Sequence, residues 1–440
     1  MRERDWLERT EWEQVPALSL PEPWRHLVVA VAHPDDESLA AGGLIATAAR
    51  AGVEVSVLVA SDGEASHPDS PTHTPEQLRS IRQRECRAAV RRLAPAARLV
   101  QAGLPDGALG EHVEDIRALV QQLLEQADPR TTLVLSTWRR DGHPDHEAVA
   151  LGAAQACAQR GIRLLEAPIW WWQWRDADGF PWHLLRVHRH DEMAGRAKSA
   201  ALAEHQSQVQ PLSQSSGDEA IVDAQMAEHF ERAWESFVEE PAQVFDAMYA
   251  DDDDPWRFED SWYEARKRAL TLAALPGPDL GRVLEIGPAT GLLTIELAAR
   301  ASHLLAVDIS TAAVRRLARR VEAAPYADRV EVRLADVTRD WPEGVFDTIV
   351  ISEVGYFMDR TDWLATVRRA SESLSDQGAL LLVHWRHAVQ GWPLDGNAVH
   401  RLAHENSPLQ RVTRLEEADF LLDVLRPTGL PSPAEAEGRT

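Results

Sequence analysis

His26-Leu27-Val28-Val29-Ala30-Val31-Ala32 is a short apolar run, and His33-Pro34-Asp35-Asp36-Glu37 breaks it off in a polar loop before the apolar stretch Leu39 to Arg50. The run reads as a buried strand, and the stretch beyond the loop reads as a helix because its apolar residues follow a 3.6-residue period. The same order returns far along the chain, where Arg282 to Ile286 leads into Gly287-Pro288-Ala289-Thr290-Gly291 and then Leu292 to Ala301. Val53 to Ala60, Thr131 to Thr137 and Leu164 to Trp172 read as further strands in the first half. His303 to Ile309, Val330 to Leu334, Asp347 to Ser352 and Ala379 to His384 do so in the second. Thr74 to Leu93 reads as a helix with Thr74 as its N-cap and Pro75 at the first helical position. Thr311 to Ala323 and Thr361 to Leu374 read as helices too. This alternation predicts an α/β fold with two Rossmann-like domains, each a mostly parallel sheet flanked by helices.

Ala220 to Glu239 reads as a helix closing the first domain, and Asp251 to Asp254 with Pro255 as an exposed junction. The domains are therefore expected at 1–242 and 243–425, with the Pro/Glu/Gly-rich stretch 426–440 as a disordered tail. In 440 residues, 46 Lys+Arg stand against 70 Asp+Glu, a formal charge of -24. Such a chain repels phosphate backbones and anionic membranes, so no nucleic-acid partner is expected. No apolar run reaches about 18 residues, so no membrane insertion is expected. Met1 to Glu13 is charged and does not read as a signal peptide. Cys86 and Cys157 stand in separate helical stretches and cannot build a disulfide framework, which fits a cytoplasmic setting. Of the 46 basic residues only Lys198 and Lys267 are lysine. Arg does not replace Lys at a specific site, so these two positions stand out for specific roles.

The loop after the first strand has a counterpart, Asp141-Gly142-His143-Pro144-Asp145-His146, after the strand at Thr131 to Thr137. Ligands bind at the carboxyl edge of open α/β sheets, where both loops fall. A hydrolytic zinc centre takes three ligands from His and carboxylates and keeps one position open. His33, Asp36 and His146 supply that set, though iron would suit it as well. Asp35 remains to take a proton from the attacking water, and His143 to stabilise an oxyanion or protonate a leaving amine. Trp170, Trp171, Trp172 and Trp174 follow another strand at the same edge, some for the core and some for a sugar ring.

These loops, with Arg82-Gln83-Arg84-Glu85, Gly103-Leu104-Pro105-Asp106-Gly107 and His205-Gln206-Ser207-Gln208, resemble the PIG-L/LmbE family of zinc-dependent deacetylases over about residues 25–242. The resemblance implies zinc on His33, Asp36 and His146, Asp35 as general base and His143 as the charge-stabilising or acid group. It implies hydrolysis of an N-acetylglucosamine unit on a conjugate. Arg82, Lys198 and Trp171 are the candidates for the substrate side.

In the second half, Glu285-Ile286-Gly287-Pro288-Ala289-Thr290-Gly291 lacks the GxGxxG spacing of a dinucleotide loop, and Asp308 ends the next strand. This pattern resembles class I S-adenosylmethionine-dependent methyltransferases, which implies a cofactor held by Glu285, Gly287, Ala289, Gly291, Asp308 and Asp336. Asp254-Pro255-Trp256 and Trp262-Tyr263-Glu264-Ala265-Arg266-Lys267-Arg268 extend the resemblance to the NodS-like branch over about residues 250–400, adding Trp262, Tyr263 and Arg266. Ala289 stands where that family has Gly, and a residue this small should be tolerated. Glu353, Tyr356 and His384 fall near the expected methyl-acceptor side. Ser352-Glu353-Val354-Gly355-Tyr356 is not the Asn/Asp-Pro-Pro-aromatic run of base-amino methyltransferases.

Deacetylation exposes an amine, and an amine is what a NodS-like enzyme methylates. The joint expectation is a bifunctional enzyme acting on a small-molecule or glycoconjugate amino sugar with Zn2+ and S-adenosyl-L-methionine. The alternative keeps both activities uncoupled, with O-methylation or methylation of a different small molecule.

Overall fold

A computed structural model describes residues 2–18, 23–177, 180–239, 241–252, 254–389 and 392–439. The chain divides into two compact units, Met1–Glu240 and Pro241–Thr440. The first holds β1 (His26–Val31), β2 (Glu54–Ser61), β3 (Arg98–Leu104), β4 (Thr132–Thr137), β5 (Arg163–Ala167), β6 (Leu185–Arg189) and β7 (Trp234–Glu239). They form one seven-stranded sheet in the order β3-β2-β1-β4-β5-β7-β6. The second holds β8 (Gly281–Ile286), β9 (Ala301–Asp308), β10 (Val330–Leu334), β11 (Phe346–Ser352), β12 (Leu374–Trp385), β13 (Gln410–Glu416) and β14 (Phe420–Arg426). Its order is β10-β9-β8-β11-β12-β14-β13. All pairings are parallel except those of one strand in each sheet, β7 and β14. The expected architecture of two mostly parallel, helix-flanked sheets is what the chain adopts.

Central strands are covered on both faces, so they read as continuous apolar runs. β4 is buried at all six positions. In β8, Val283 and Leu284 point to opposite faces and join different apolar clusters, as the period of two requires. The helix Pro75–Leu93 starts at a capping box between Thr74 and Gln77. No helix among the described residues is long and apolar enough to cross a membrane.

Some expectations are corrected. Ala220 to Glu239 is not one helix: a short helix, Ala224–Glu228, precedes β7. Ladder bonds to β5 and β6 and the full burial of Phe237 override the helix propensity of this stretch. The strand expected to reach Trp172 ends at Ala167. Pro168 follows and cannot donate to a ladder, and Trp171–Trp174 is a helical turn. The acidic stretch begins inside the helix Pro241–Asp251, while Asp253 lies outside the described residues. Beyond β14, Pro433–Ala436 forms an exposed helical turn capped by Ser432.

Candidate active sites

In the first unit, the carboxyl ends of β1, β2, β3 and β4 deliver buried side chains to one spot. Suitable donor atoms of His33, Asp36 and His146 lie within 4.8 Å of one another. Asp36 Oδ2 is 3.5 Å from His33 Nδ1 and 3.4 Å from His146 Nε2. His146 Nε2 is buried and makes no hydrogen bond. Its other nitrogen, Nδ1, lies 2.7 Å from Asp141 Oδ2. Asp141 also accepts the backbone N–H groups of Ile169, Trp170 and Trp171. A carboxylate so supplied with donors fixes one proton on His146 Nδ1, so Nε2 is the nitrogen at which a cation would stand in place of a second proton.

His33 is held in the same way. Its Nε2 is 3.1 Å from Asp106 Oδ1 and 3.3 Å from Asp145 Oδ2, which leaves Nδ1 for Asp36. His33, Asp106 and Asp145 also form a cluster by distance. There the carboxylates are occupied: Asp145 accepts from Gly107 and Leu109 N–H, and Asp106 from Ala65 N–H. Asp36 Oδ2 accepts the His33 backbone N–H as well, so the buried His146 Nε2 without a partner is what favours His33, Asp36 and His146 as the set able to hold a cation. The field agrees. Burial opposes the charge on His146, yet Asp36 and Asp141 push its pKa up to about 9. The carboxylates thus draw positive charge onto a buried imidazole, and a divalent cation would satisfy the same field.

Asp35 sits at φ 130°, a costly conformation for a residue with a Cβ. Its N–H donates to Glu37 Oε2 at 3.1 Å, and buried Arg82 donates to its Oδ1 at 3.2 Å and to Pro34 and Gly63 carbonyls. Burial first, with the charge of Asp36 adding, outweighs Arg82 and pushes the Asp35 pKa up to about 6. His143 Nδ1 accepts from Asp145 N–H at 3.3 Å, so Nε2 carries the proton. Burial and the neighbouring histidines push its pKa down to about 4. The Glu85 carboxylate accepts both Ser207 N–H and Oγ–H, which ties the His205-Gln206-Ser207-Gln208 stretch to the helix Pro75–Leu93.

The tryptophans divide. Trp172 is buried against Trp6 and Phe180. Trp171 packs its ring on Trp138 and Phe180. Trp170 and Trp174 instead stack on each other and lie beside His143. Lys198 donates from Nζ to Glu235 Oε1 at 2.8 Å, a carboxylate that also accepts Gly43 and Leu44 N–H. Its ammonium is thus committed to a buried ion pair. Asp141, Asp106 and Asp145 stand inside the sequence motifs, and their value as orienting groups emerges only when the loops meet.

In the second unit, Gly287 and Gly291 take φ of 70° and 82° in the loop after β8. A Cβ on Gly287 would be driven into Val354 Cγ2, and one on Gly291 into Leu317 Cδ1. Ala289 adopts φ 50°, and its N–H donates to Asp308 Oδ2 at 3.2 Å, while Ser310 N–H donates to Oδ1 at 2.9 Å. Burial pushes the Asp308 pKa up to about 6 and that of Glu285 up to about 7. Glu285 Oε2 is buried without a hydrogen-bond partner. Asp336, past β10, accepts from Thr338 N–H and Oγ1–H. Glu285, the glycines, Ala289, Asp308 and Asp336 thus share the carboxyl edge of the sheet.

Three further residues were expected on the cofactor side. Trp262 is 77% exposed. Tyr263 packs edge-on to Trp385 and Phe420. Arg266 makes two 2.7 Å bonds to Glu417, a bidentate pair that occupies its guanidinium. On the acceptor side Glu353 is a hub at φ 59°, accepting from Lys267 Nζ at 2.8 Å, Tyr356 OH at 2.5 Å and Trp385 N–H at 3.0 Å. His384 is fully buried and accepts from Gly355 N–H at 3.1 Å. Its Nδ1 meets His400 Nε2, and His400 Nδ1 meets Asp423 Oδ2. Burial, then His400 and Lys267, hold its pKa well below the usual range. His384 therefore anchors the Gly355 amide from within the core, and Lys267 is the residue that joins Glu353 instead.

The PIG-L family (GlcNAc-PI de-N-acetylase) matches residues 28–157, and the NodS family (Nodulation protein S) matches residues 242–416. A nodulation protein S of Rhizobium tropici is 31% identical over 168 residues, which cover 37% of this chain and 69% of that one. A 1D-myo-inositol 2-acetamido-2-deoxy-alpha-D-glucopyranoside deacetylase of Nocardia farcinica is 30% identical over 201 residues, covering 40% of this chain and 64% of that one. The crystal structure of the N-methyltransferase NodS from Bradyrhizobium japonicum WM9 with S-adenosyl-L-homocysteine is 25% identical, with 43% and 98% coverage and a TM-score of 0.39. Across its second unit the chain belongs to the nodulation protein S family, and its first unit carries a PIG-L deacetylase domain.

Proposed function

We propose that the chain is a bifunctional enzyme. Residues 1–242 hydrolyse the N-acetyl group of an amino-sugar conjugate, and residues 243–425 methylate the exposed amine with S-adenosylmethionine. The observation that carries the reading is the convergence of His33, Asp36 and His146, each imidazole tied to carboxylates through its other nitrogen. The Nocardia farcinica relative, named for deacetylating a 2-acetamido-2-deoxyglucopyranoside, supports the substrate class.

Two imidazoles and a carboxylate suit zinc and also ferrous iron. When bound, the ion would polarise the acetamide carbonyl and acidify a water. Asp35, with a pKa of about 6, is ionised at neutral pH and oriented by Arg82, so it accepts the water's proton. As the water oxygen bonds to the acyl carbon, neutral His143 donates from Nε2 to the developing oxyanion. The C–N bond then breaks, and the leaving amine takes the proton that Asp35 held.

In the second unit the orphan Glu285 Oε2 and the two glycines without room for a Cβ fit a nucleoside ligand at the sheet edge. S-adenosylmethionine would supply the methyl group there, with Asp308 accepting the ribose hydroxyls. Glu353 and Tyr356 orient the acceptor amine. We place the protein in the cytoplasm, where the buried thiols of Cys86 and Cys157 stay reduced.

The test is purified protein with zinc, an N-acetylglucosaminyl conjugate and S-adenosylmethionine. Acetate should appear first and a methylated amine second. Acetate without methyl transfer to the same molecule overturns the coupling and leaves methylation of a hydroxyl or another molecule. No acetate overturns the hydrolase.

A further inference from the structure

We infer that Trp170 and Trp174 form a stacking platform beside the first site, holding a second pyranose ring attached to the acetamido sugar. The inference rests on the reading of the first unit as an amino-sugar hydrolase. The two indoles stack with centroids 4.5 Å apart and planes 20° apart. Both lie nearly parallel to His143: Trp174 at 6.4 Å and 10°, Trp170 at 6.3 Å and 24°. His143 in turn lies 4.9 Å from His33 and 4.7 Å from His146 by ring centroids. The two indoles therefore stand side by side at nearly equal distance from His143, which joins them to the metal-binding set.

The local fold explains why these two tryptophans are presented. Asp141 accepts the N–H groups of residues 169, 170 and 171 and so pins the start of the helical turn Trp171–Trp174. Residues 170 and 174 are four apart and share one face. Trp171 and Trp172 turn to the aromatic core formed by Trp138, Phe180 and Trp6. Trp174 is left 51% exposed. A large indole half in water next to a polar, buried reaction centre has apolar surface to cover. The C–H face of a pyranose covers it without removing the ring's hydroxyls from water. Since His143 stands between the indoles and the other two histidines in this series of contacts, the platform suits the ring beyond the one that carries the amide.

Trp174→Ala tests this, with Trp170 left in place and Trp171→Phe as a core control. The probes are methyl N-acetyl-β-glucosaminide and N,N′-diacetylchitobiose. Trp174→Ala should raise KM for the disaccharide about tenfold, the scale of one aromatic contact of roughly 1.4 kcal/mol. It should leave kcat, and both constants for the monosaccharide, unchanged. Saturation-transfer NMR on the metal-free chain reads binding without turnover, and Trp174→Ala should remove the transfer to the second ring. Equal losses for both probes, or unchanged disaccharide binding, would overturn the platform even if acetate is released. Disaccharide binding that depends on Trp174, with no acetate released by the loaded enzyme, would overturn the hydrolase reading and keep the platform.

Discussion

The two units place seven strands in the same order, each with one reversed strand next to the edge, yet they use the shared sheet edge in opposite ways. After β1 the chain presents side chains: His33, Asp35 and Asp36 point into a buried cluster fed by three more strand ends. After β8 it presents backbone, because Gly287 and Gly291 leave no volume of their own at positive φ. A reaction centre that needs an ion gathers charge and then orients it with further charge. A centre that receives a nucleoside needs shape, with a few carboxylates at the rim.

The contrast is open to test. The largest effect should come from Asp35→Asn, which removes the proton acceptor and keeps the polar contact to Arg82. Acetate release should fall by about a hundredfold to ten-thousandfold, with metal content, and methyl transfer to a substrate supplied as the free amine, unchanged. Residual hydrolysis near the wild-type rate would remove Asp35 from the base role. Asp141→Asn should weaken metal binding about tenfold to hundredfold in chelator competition, because His146 loses its fixed tautomer. An unchanged affinity would mean that the three backbone donors alone hold the site. In the second unit Gly287→Ala should weaken S-adenosylmethionine binding about tenfold to hundredfold by calorimetry, from strain and the contact with Val354, while zinc binding stays intact. If both ligands weaken together, the mutation acts on more than the loop.

The smallest effect is a slope. Glu285 and Asp308 carry folded-state pKa values of about 7 and about 6, against ordinary values of 4.5 and 3.8. The folded chain thus holds protons that the unfolded chain gives up. The stability this adds is fully present below about pH 4 and is lost as pH rises through about 6 to 7. Thermal unfolding followed from about pH 5 to pH 8 should show this decline, and Glu285→Gln should flatten it. A Gln variant with the wild-type slope would place the effect elsewhere.

Much of this was legible in residue order, because strand ends are local. An apolar run followed by His-Pro-Asp or Glu-x-Gly puts chemistry at the sheet edge wherever the rest of the chain goes. What escaped depends on tertiary partners. Trp170 and Trp174 part from Trp171 only because Asp141 pins their turn. Glu235, which receives Lys198, stands 37 residues away in a strand whose composition reads as a helix. Arg266 meets Glu417 across 151 residues. No spacing announces such pairs.

The two lysines have a practical consequence. Lys198 is closed off against Glu235 in the first unit, and Lys267 against Glu264 and Glu353 in the second. A reagent that acylates amines should meet neither while its unit is intact. The chain therefore carries one slow-reacting amine per unit, and the labelling rate of each would clock the opening of that unit in a single mass-spectrometric time course.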